Sequence, residues 1–225
     1  MKSNIIIFLN GLRGVYCLEN ILKKKYKISA VVTPQNFYSS AFLFLNEKYK
    51  FKHYKSDNVN EKIFIKKIKK LKPNIFLIIG FSQILIPDLY NIPNKGTFNF
   101  HAGKLPKYRG GSPINWQIIN NEKYIGISII KVNKIIDAGN IALSENLKLN
   151  KSDYVSDIHL KVNKIFSKLS TKLLDKIENN KVSFKKQNDL NAVYWHQRND
   201  LDGYINFSKL TSLQAYNFIR ALSHP

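Results

Sequence analysis

Cysteine is almost missing from this chain. Cys17 is the only one in 225 residues, so no disulfide can form within it and the fold must stand on its core alone. A reducing compartment follows, which makes the cytoplasm the expected location. Long hydrophobic runs are missing too. The apolar stretch Ile5 to Leu9 is too short for a signal-peptide core or a membrane span, and nothing downstream approaches spanning length. A soluble protein with no membrane partner is expected. Acidic residues are scarce, 15 against 36 Lys and Arg, and the formal charge is +21. Arginine is scarce as well: only Arg13, Arg109, Arg198 and Arg220 are present. Base and phosphate readout favours the guanidinium fork, whereas here lysine is scattered among Ile, Asn and Tyr, as in proteins from AT-rich genomes. The charge therefore implies weak nonspecific attraction to nucleic acid rather than a specific site. A noncatalytic basic nucleic-acid-binding module stays open as an alternative. His53, His101, His159, His196 and His224 show no ligand spacing, so no metal is expected.

What the chain does have is a globular composition, 44% hydrophobic, at a length that buries a sizeable core. Ile5 to Leu9 is a β-branched run suited to a strand covered on both faces, and Asn10-Gly11 breaks it. Val15, Leu18, Ile21 and Leu22 then fit one helical face, and Ile28 to Val32 makes a second strand. The pattern returns with a helical face of Val59, Ile63, Ile68 and Leu71, a break at Pro73-Asn74 and a buried strand from Ile75 to Ile79. Alternation of this kind predicts an α/β fold, Rossmann-like, with a mostly parallel sheet and helices on both faces. Asn10-Gly11-Leu12-Arg13-Gly14 lacks the full glycine fingerprint of a dinucleotide site, which argues against an oxidoreductase.

Phe98 to Phe100 reads as a further strand with Asn99 and His101 at its carboxyl end, where ligands bind in open α/β sheets. Side chains at i and i+2 of a strand face the same way, so the amide and the imidazole aim at one point. Gly126 to Val132 and Asn140 to Leu147 flank a loop holding Asp137. A long helix follows, with Val155, Ile158, Val162, Ile165, Leu169, Leu173 and Ile177 on one face and Ser152 or Asp153 as its cap. After Asn179-Asn180 the texture changes to short segments and one helix from Thr211 or Ser212 to Leu222. Residues 1–180 are expected to form the main domain and 181–225 the start of a smaller, incomplete C-terminal region.

Phe98-Asn99-Phe100-His101-Ala102-Gly103-Lys104-Leu105-Pro106-Lys107-Tyr108-Arg109-Gly110-Gly111-Ser112-Pro113, with Ile136-Asp137-Ala138-Gly139-Asn140 downstream, resembles the signature of the formyltetrahydrofolate-dependent formyltransferases. The resemblance implies a catalytic set of Asn99, His101 and Asp137 and 10-formyltetrahydrofolate as co-substrate. It also implies a pterin pocket from Phe81, Gln83, Ile84 and Leu85 with Ile135 and Ile136. In formyl transfer, negative charge develops on the formyl oxygen and positive charge on the attacking amine. Asn99 and His101 suit the first; as the base for the amine proton His101 comes first and Asp137 second, the carboxylate orienting the imidazole or relaying a proton through water. Many members carry Ser and Leu where this chain has Gly103 and Lys104.

Tyr194-Trp195-His196-Gln197-Arg198 and Asp202-Gly203-Tyr204-Ile205 are similar to the region after the catalytic domain in nucleotide-sugar and methionyl-tRNA formyltransferases. The short loop after the second strand lacks a basic insertion for an acceptor stem. The acceptor expected from this likeness is a dTDP-linked amino sugar, 4-amino-4,6-dideoxyglucose first and a 3-amino isomer next, feeding O-antigen or other surface glycans. The alternative is methionyl-tRNA. Tyr194 or Trp195 would stack on thymine, and Arg13 and Arg198 would meet the diphosphate. The resemblance further implies a homodimer.

Overall fold

The computed structural model describes residues 3–223. His224 and Pro225, the last two residues of the expected region 181–225, lie outside the described residues. The chain opens with β1 (Asn4–Leu9), α1 (Gly11–Lys23), β2 (Lys27–Thr33), α2 (Ser40–Tyr49) and β3 (Lys52–Lys55). It continues through α3 (Lys62–Lys69), β4 (Ile75–Ile79), α4 (Pro87–Tyr90), β5 (Gly96–His101), β6 (Arg109–Gly110) and α5 (Pro113–Ile119). Then follow β7 (Tyr124–Lys131), β8 (Ile141–Lys148), α6 (Val155–Glu178), β9 (Tyr194–Trp195) and α7 (Ser212–Leu222).

Seven strands form the main sheet in the order β3-β2-β1-β4-β5-β7-β8. The first five are mutually parallel, and β7 and β8 add on in antiparallel fashion. The Rossmann-like, mostly parallel expectation therefore holds. The chain order reverses around β1, and the cavity beside it is lined from the carboxyl ends of β4 and β5 and from the loop after β7.

Strand alternation divides the core between the two faces. Phe98 and Phe100 point to the side covered by α1 and α6, where Phe100 meets Phe166 at 5.4 Å between ring centres. Full burial of an aromatic such as Phe166 contributes roughly 3 kcal/mol. On the other side Ile6, Phe8, Phe76 and Ile78 pack against Phe64, Ile65 and Ile68 of α3. Asn99 and His101 belong to neither cluster. Both line a cavity at the carboxyl end of β5.

Several elements differ from the sequence reading. Helix α2 and the polar edge strand β3, Lys-His-Tyr-Lys, carry no apolar period to announce them. Ile63 was expected on a buried face but is 81% exposed, because Phe64, Ile65 and Ile68 form the buried stripe of α3. Neither Ser152 nor Asp153 caps α6. Tyr154 occupies the cap and Asp157 Oδ2 accepts from its backbone N–H at 3.0 Å, while Asp153 accepts from Asn150 N at 2.9 Å. The last helix, α7, returns to the first unit: Ala221 joins the α1–α6 core and Arg220 donates to the carbonyls of Asn150 and Asp153. No helix among the described residues is long and apolar enough to cross a membrane.

Candidate active site

β5 ends at His101, and the loop from Val132 to Asn140, between β7 and β8, folds back over its final residues. Val132 N donates to Thr97 O at 2.8 Å, and five residues later Asp137 has reached the level of Asn99 and His101. Asn99 Nδ2 donates to Asp137 Oδ1 at 3.1 Å, and Asp137 Oδ2 stands 3.4 Å from His101 Nδ1. Gly110 N donates to the same Oδ2 at 3.0 Å. The three residues expected from the motif are thus one cluster, with the carboxylate and imidazole only 8% and 6% exposed.

Asp137 has φ +51, a left-handed conformation that Asp tolerates better than most residues, at a cost of about 1–3 kcal/mol. Gly139 explains the rest of the Asp-x-Gly pattern. A Cβ there would lie 1.7 Å from the Lys131 carbonyl, so only glycine lets the loop close against β7.

The imidazole departs from the sequence reading. His101 Nε2 lies 2.5 Å from the Tyr108 carbonyl, which can only accept, so Nε2 carries a proton. With Nδ1 facing Asp137, both ring nitrogens are engaged by protein. His101 therefore does not aim a donor at a ligand oxygen. Asn99, which gives one amide N–H to Asp137 and lines the cavity, is left as the donor. Gly103 makes this imidazole position possible, since a Cβ there would fall 2.3 Å from Nε2. The departure at Gly103 and the seating of the ring belong together.

The cluster forms one wall of a cavity of about 770 Å³. Phe81, Gln83, Ile84, Leu85, Ile135 and Ile136 all line it. Ile84, Ile135 and Ile136 are half to two-thirds exposed, an apolar rim with nothing packed upon it. Leu85 is buried and doubles as core. Gln83 turns its amide away, accepting from Val59 N at 2.9 Å and donating to Ser56 O at 3.1 Å, so it fixes the loop after β3. Apolar walls with backbone polar groups between them suit a flat heteroaromatic ring. Among the described residues no group of three or more His, Cys, Asp or Glu is placed to hold a metal ion.

Arg13 also lines the cavity, from the first turn of α1 rather than from the loop before it. Its guanidinium lies 5.3 Å over the Phe166 ring, and Nε donates to Asn163 Oδ1 at 3.2 Å. Nη2 meets His159 Nδ1 at 3.5 Å. Arginine can only donate, so His159 accepts through Nδ1 and is neutral. Burial, and then the charge of Arg13, push His159 down to about 4, and burial pushes Arg13 down to about 10. Burial likewise pushes the nearby Cys17 thiol up to about 12. Arg13 is therefore a cation among neutral groups.

His159 makes a testable contribution. Its folded value lies below the unfolded 6.5, so its stabilisation is complete above pH 6.5 and is lost as pH falls towards 4. At pH 4.5 this group alone is expected to cost roughly 2–3 kcal/mol relative to pH 7. His159→Gln retains an acceptor for Arg13 and does not titrate. Urea unfolding at both pH values should show a smaller acid loss in the variant; equal losses would contradict the assignment.

Tyr194, Trp195 and Arg198 are not brought to the cavity. Trp195 stacks on Tyr108, at 5.8 Å, and on Trp116, at 4.8 Å, and its Nε1 donates to Lys107 O at 3.1 Å. Arg198 lies over Trp116 and Phe218 and donates to the Asp202 carbonyl. The Tyr194 hydroxyl accepts from Arg109 Nη1 at 3.1 Å and donates to Ile136 O at 3.3 Å. The stacking and diphosphate roles expected of these three are taken up by packing. The sequence reading missed Arg109 and Gln187, both buried, as neighbours of the Asp137 loop. Arg109 stood inside the recognised motif, but nothing in the pattern linked it to residue 187.

A family model described as formyl transferase matches residues 20–173. The chain is 31% identical over 227 residues to the bifunctional polymyxin resistance protein ArnA of Wigglesworthia glossinidia brevipalpis, covering 98% of this chain and 35% of that protein. It thus spans about a third of that relative's length. The methionyl-tRNA formyltransferase of Clostridioides difficile (strain 630) is 30% identical, over 93% of this chain and 70% of that enzyme. Among solved structures, the N-formyltransferase of Helicobacter canadensis in complex with folinic acid and dTDP-3-aminofucose superposes with TM-score 0.79 at 26% identity, covering 98% and 80% of the two chains. A 4-N formyltransferase from Francisella tularensis gives TM-score 0.77 at 25% identity, covering 99% and 89%.

Proposed function

Because the chain belongs to the formyl transferase family, we propose that it moves the formyl group of 10-formyltetrahydrofolate to the amine of a dTDP-linked amino-dideoxyhexose. The 4-amino-4,6-dideoxyglucose is preferred and the 3-amino isomer comes next. The observation that carries this reading is the Asn99–Asp137–His101 cluster at the wall of an apolar cavity. The donor supplies an electrophilic formyl carbon when bound. Asn99 donates to the formyl oxygen as charge develops there, an interaction stronger in the transition state than before it. Asp137 takes a proton from the attacking amine, and His101, with Nε2–H held by Tyr108, presents Nδ1 to that carboxylate. Phe81, Ile84, Ile135 and Ile136 would hold the pterin.

The acceptor follows from Arg13. It stands near the amino end of α1, where backbone N–H groups already favour anions, and none of its partners is acidic. A diphosphate supplies the missing negative charge. The Helicobacter canadensis enzyme crystallised with dTDP-3-aminofucose, at 26% identity, favours the same class. Methionyl-tRNA is the second reading, favoured by the 30% identity to such an enzyme. Against it, Pro34 to Ser39, between β2 and α2, contains no lysine or arginine.

In this reading residues 1–180 carry the chemistry and act in the cytoplasm, and the product serves surface glycans such as O-antigen. Residues 181–225 form a smaller region whose exposed Leu201, Tyr204 and Phe207 suit a homodimer contact. Incubation with 10-formyltetrahydrofolate and each amino sugar tests the assignment by mass spectrometry. An N-formyl sugar is expected, and absence of product with both isomers would remove the sugar acceptor.

A further inference from the structure

The loop carrying Asp137 is tied down from outside the catalytic motif. Gln187 Nε2 donates to both the Asp137 and Gly139 carbonyls, at 2.7 Å each. Its Oε1 is gripped by Arg109 Nε at 3.1 Å and Nη2 at 3.0 Å. Arg109 Nη2 also pairs with Asp189 Oδ1 at 2.6 Å, and the Tyr194 hydroxyl adds a bond to Ile136 O. Arg109 sits on β6, whose neighbour Tyr108 holds His101 through its carbonyl and whose Gly110 N–H holds the Asp137 carboxylate. β6 pairs in parallel with β9, so residues 187–195 brace the motif strand and the Asp137 loop together.

We propose that Gln187, oriented by Arg109, is a positioning residue for Asp137. Three successive features support it. The amide is buried, so its two N–H···O bonds are not exchanged with water. The loop it binds has a left-handed Asp at its centre, a conformation that needs outside support. The carboxylate must also stay within reach of both Asn99 and His101, and small displacements of a reacting group cost large factors in rate.

The test separates positioning from folding and from binding. Gln187→Glu keeps two oxygens for Arg109 but donates nothing to the loop carbonyls. It is expected to lower kcat about tenfold or more, with KM for donor and acceptor within about twofold. Arg109→Lys keeps a charge for Asp189 but cannot grip Oε1 with two nitrogens, and a smaller loss of kcat, roughly threefold to tenfold, is expected. Leu190→Ser, at a side chain 95% exposed in the same segment, should behave as wild type.

The kinetic arm rests on the proposed function, so a second arm needs no substrate. In protein labelled with ¹⁵N-histidine, the His101 ring resonances should move in Gln187→Glu and stay in Leu190→Ser. Wild-type kcat with unmoved His101 resonances in Gln187→Glu overturns the proposal, as does a loss expressed in KM alone. Failure of wild-type protein to formylate any amino sugar would count against the acceptor, while the spectra still decide the role of Gln187.

Discussion

Asp137→Asn is expected to lower kcat about a hundredfold or more while leaving the fold intact, and His101→Ala to do the same. The carboxylate offers two oxygens to donors at Asn99 and Gly110, and the second of them also faces the imidazole. An amide keeps one oxygen and sets an NH₂ against one of those donors. It also has no site for the proton that must leave the amine. Removing His101 acts at the same point, because Nδ1 is the group nearest Asp137 Oδ2 and Nε2 ties the ring to the motif strand. The two variants should not be additive, since both break one unit. Steady-state kinetics with saturating donor checks this; turnover within about threefold of wild type in both variants would remove the cluster from the chemistry.

Arg13→Met is expected to pull stability and binding in opposite directions. The guanidinium is desolvated beside Phe166, Asn163 and a neutral His159, none of which returns the energy lost on leaving water. Methionine fills the same space without a charge and should raise stability by roughly 1–2 kcal/mol. The acceptor loses charge-assisted hydrogen bonds worth about 1.5–3 kcal/mol, so its KM should rise about tenfold to a hundredfold. Thermal unfolding and acceptor titration read the two effects separately. Lower stability with an unchanged KM would make Arg13 only a tie between α1 and α6.

Legibility in the sequence followed the physics of each element. Buried strands such as Ile5 to Leu9 and Ile75 to Ile79 announce themselves because both faces must be apolar, and α1 because only one stripe is buried. β3 is an edge strand with a half-polar pattern, and Ile63 shows that an apolar residue in a helix need not face the core. The site divides in the same way. Asn99, His101 and Asp137 were legible because two motifs carry them, one at the end of β5 and one in the loop between β7 and β8. The Arg109–Gln187 tie spans 78 positions between buried polar side chains, and no periodicity records such a pair. Trp195 and Arg198 misled because an aromatic and a cation suit a nucleotide as well as they suit each other, and here they pack within the chain.

The central claim is transfer of a formyl group to a sugar nucleotide. Its most direct measurement compares dTDP-4-amino-4,6-dideoxyglucose, the 3-amino isomer and methionyl-tRNA as acceptors, each with 10-formyltetrahydrofolate at low and moderate salt. A diphosphate engages only a couple of charges, so sugar formylation should change less than about tenfold between ~50 and ~200 mM salt, whereas binding that covers many tRNA phosphates falls by about a thousandfold or more. The account predicts formylation of an amino sugar with that shallow salt dependence. Formylation of methionyl-tRNA alone, collapsing steeply as salt rises, would contradict it.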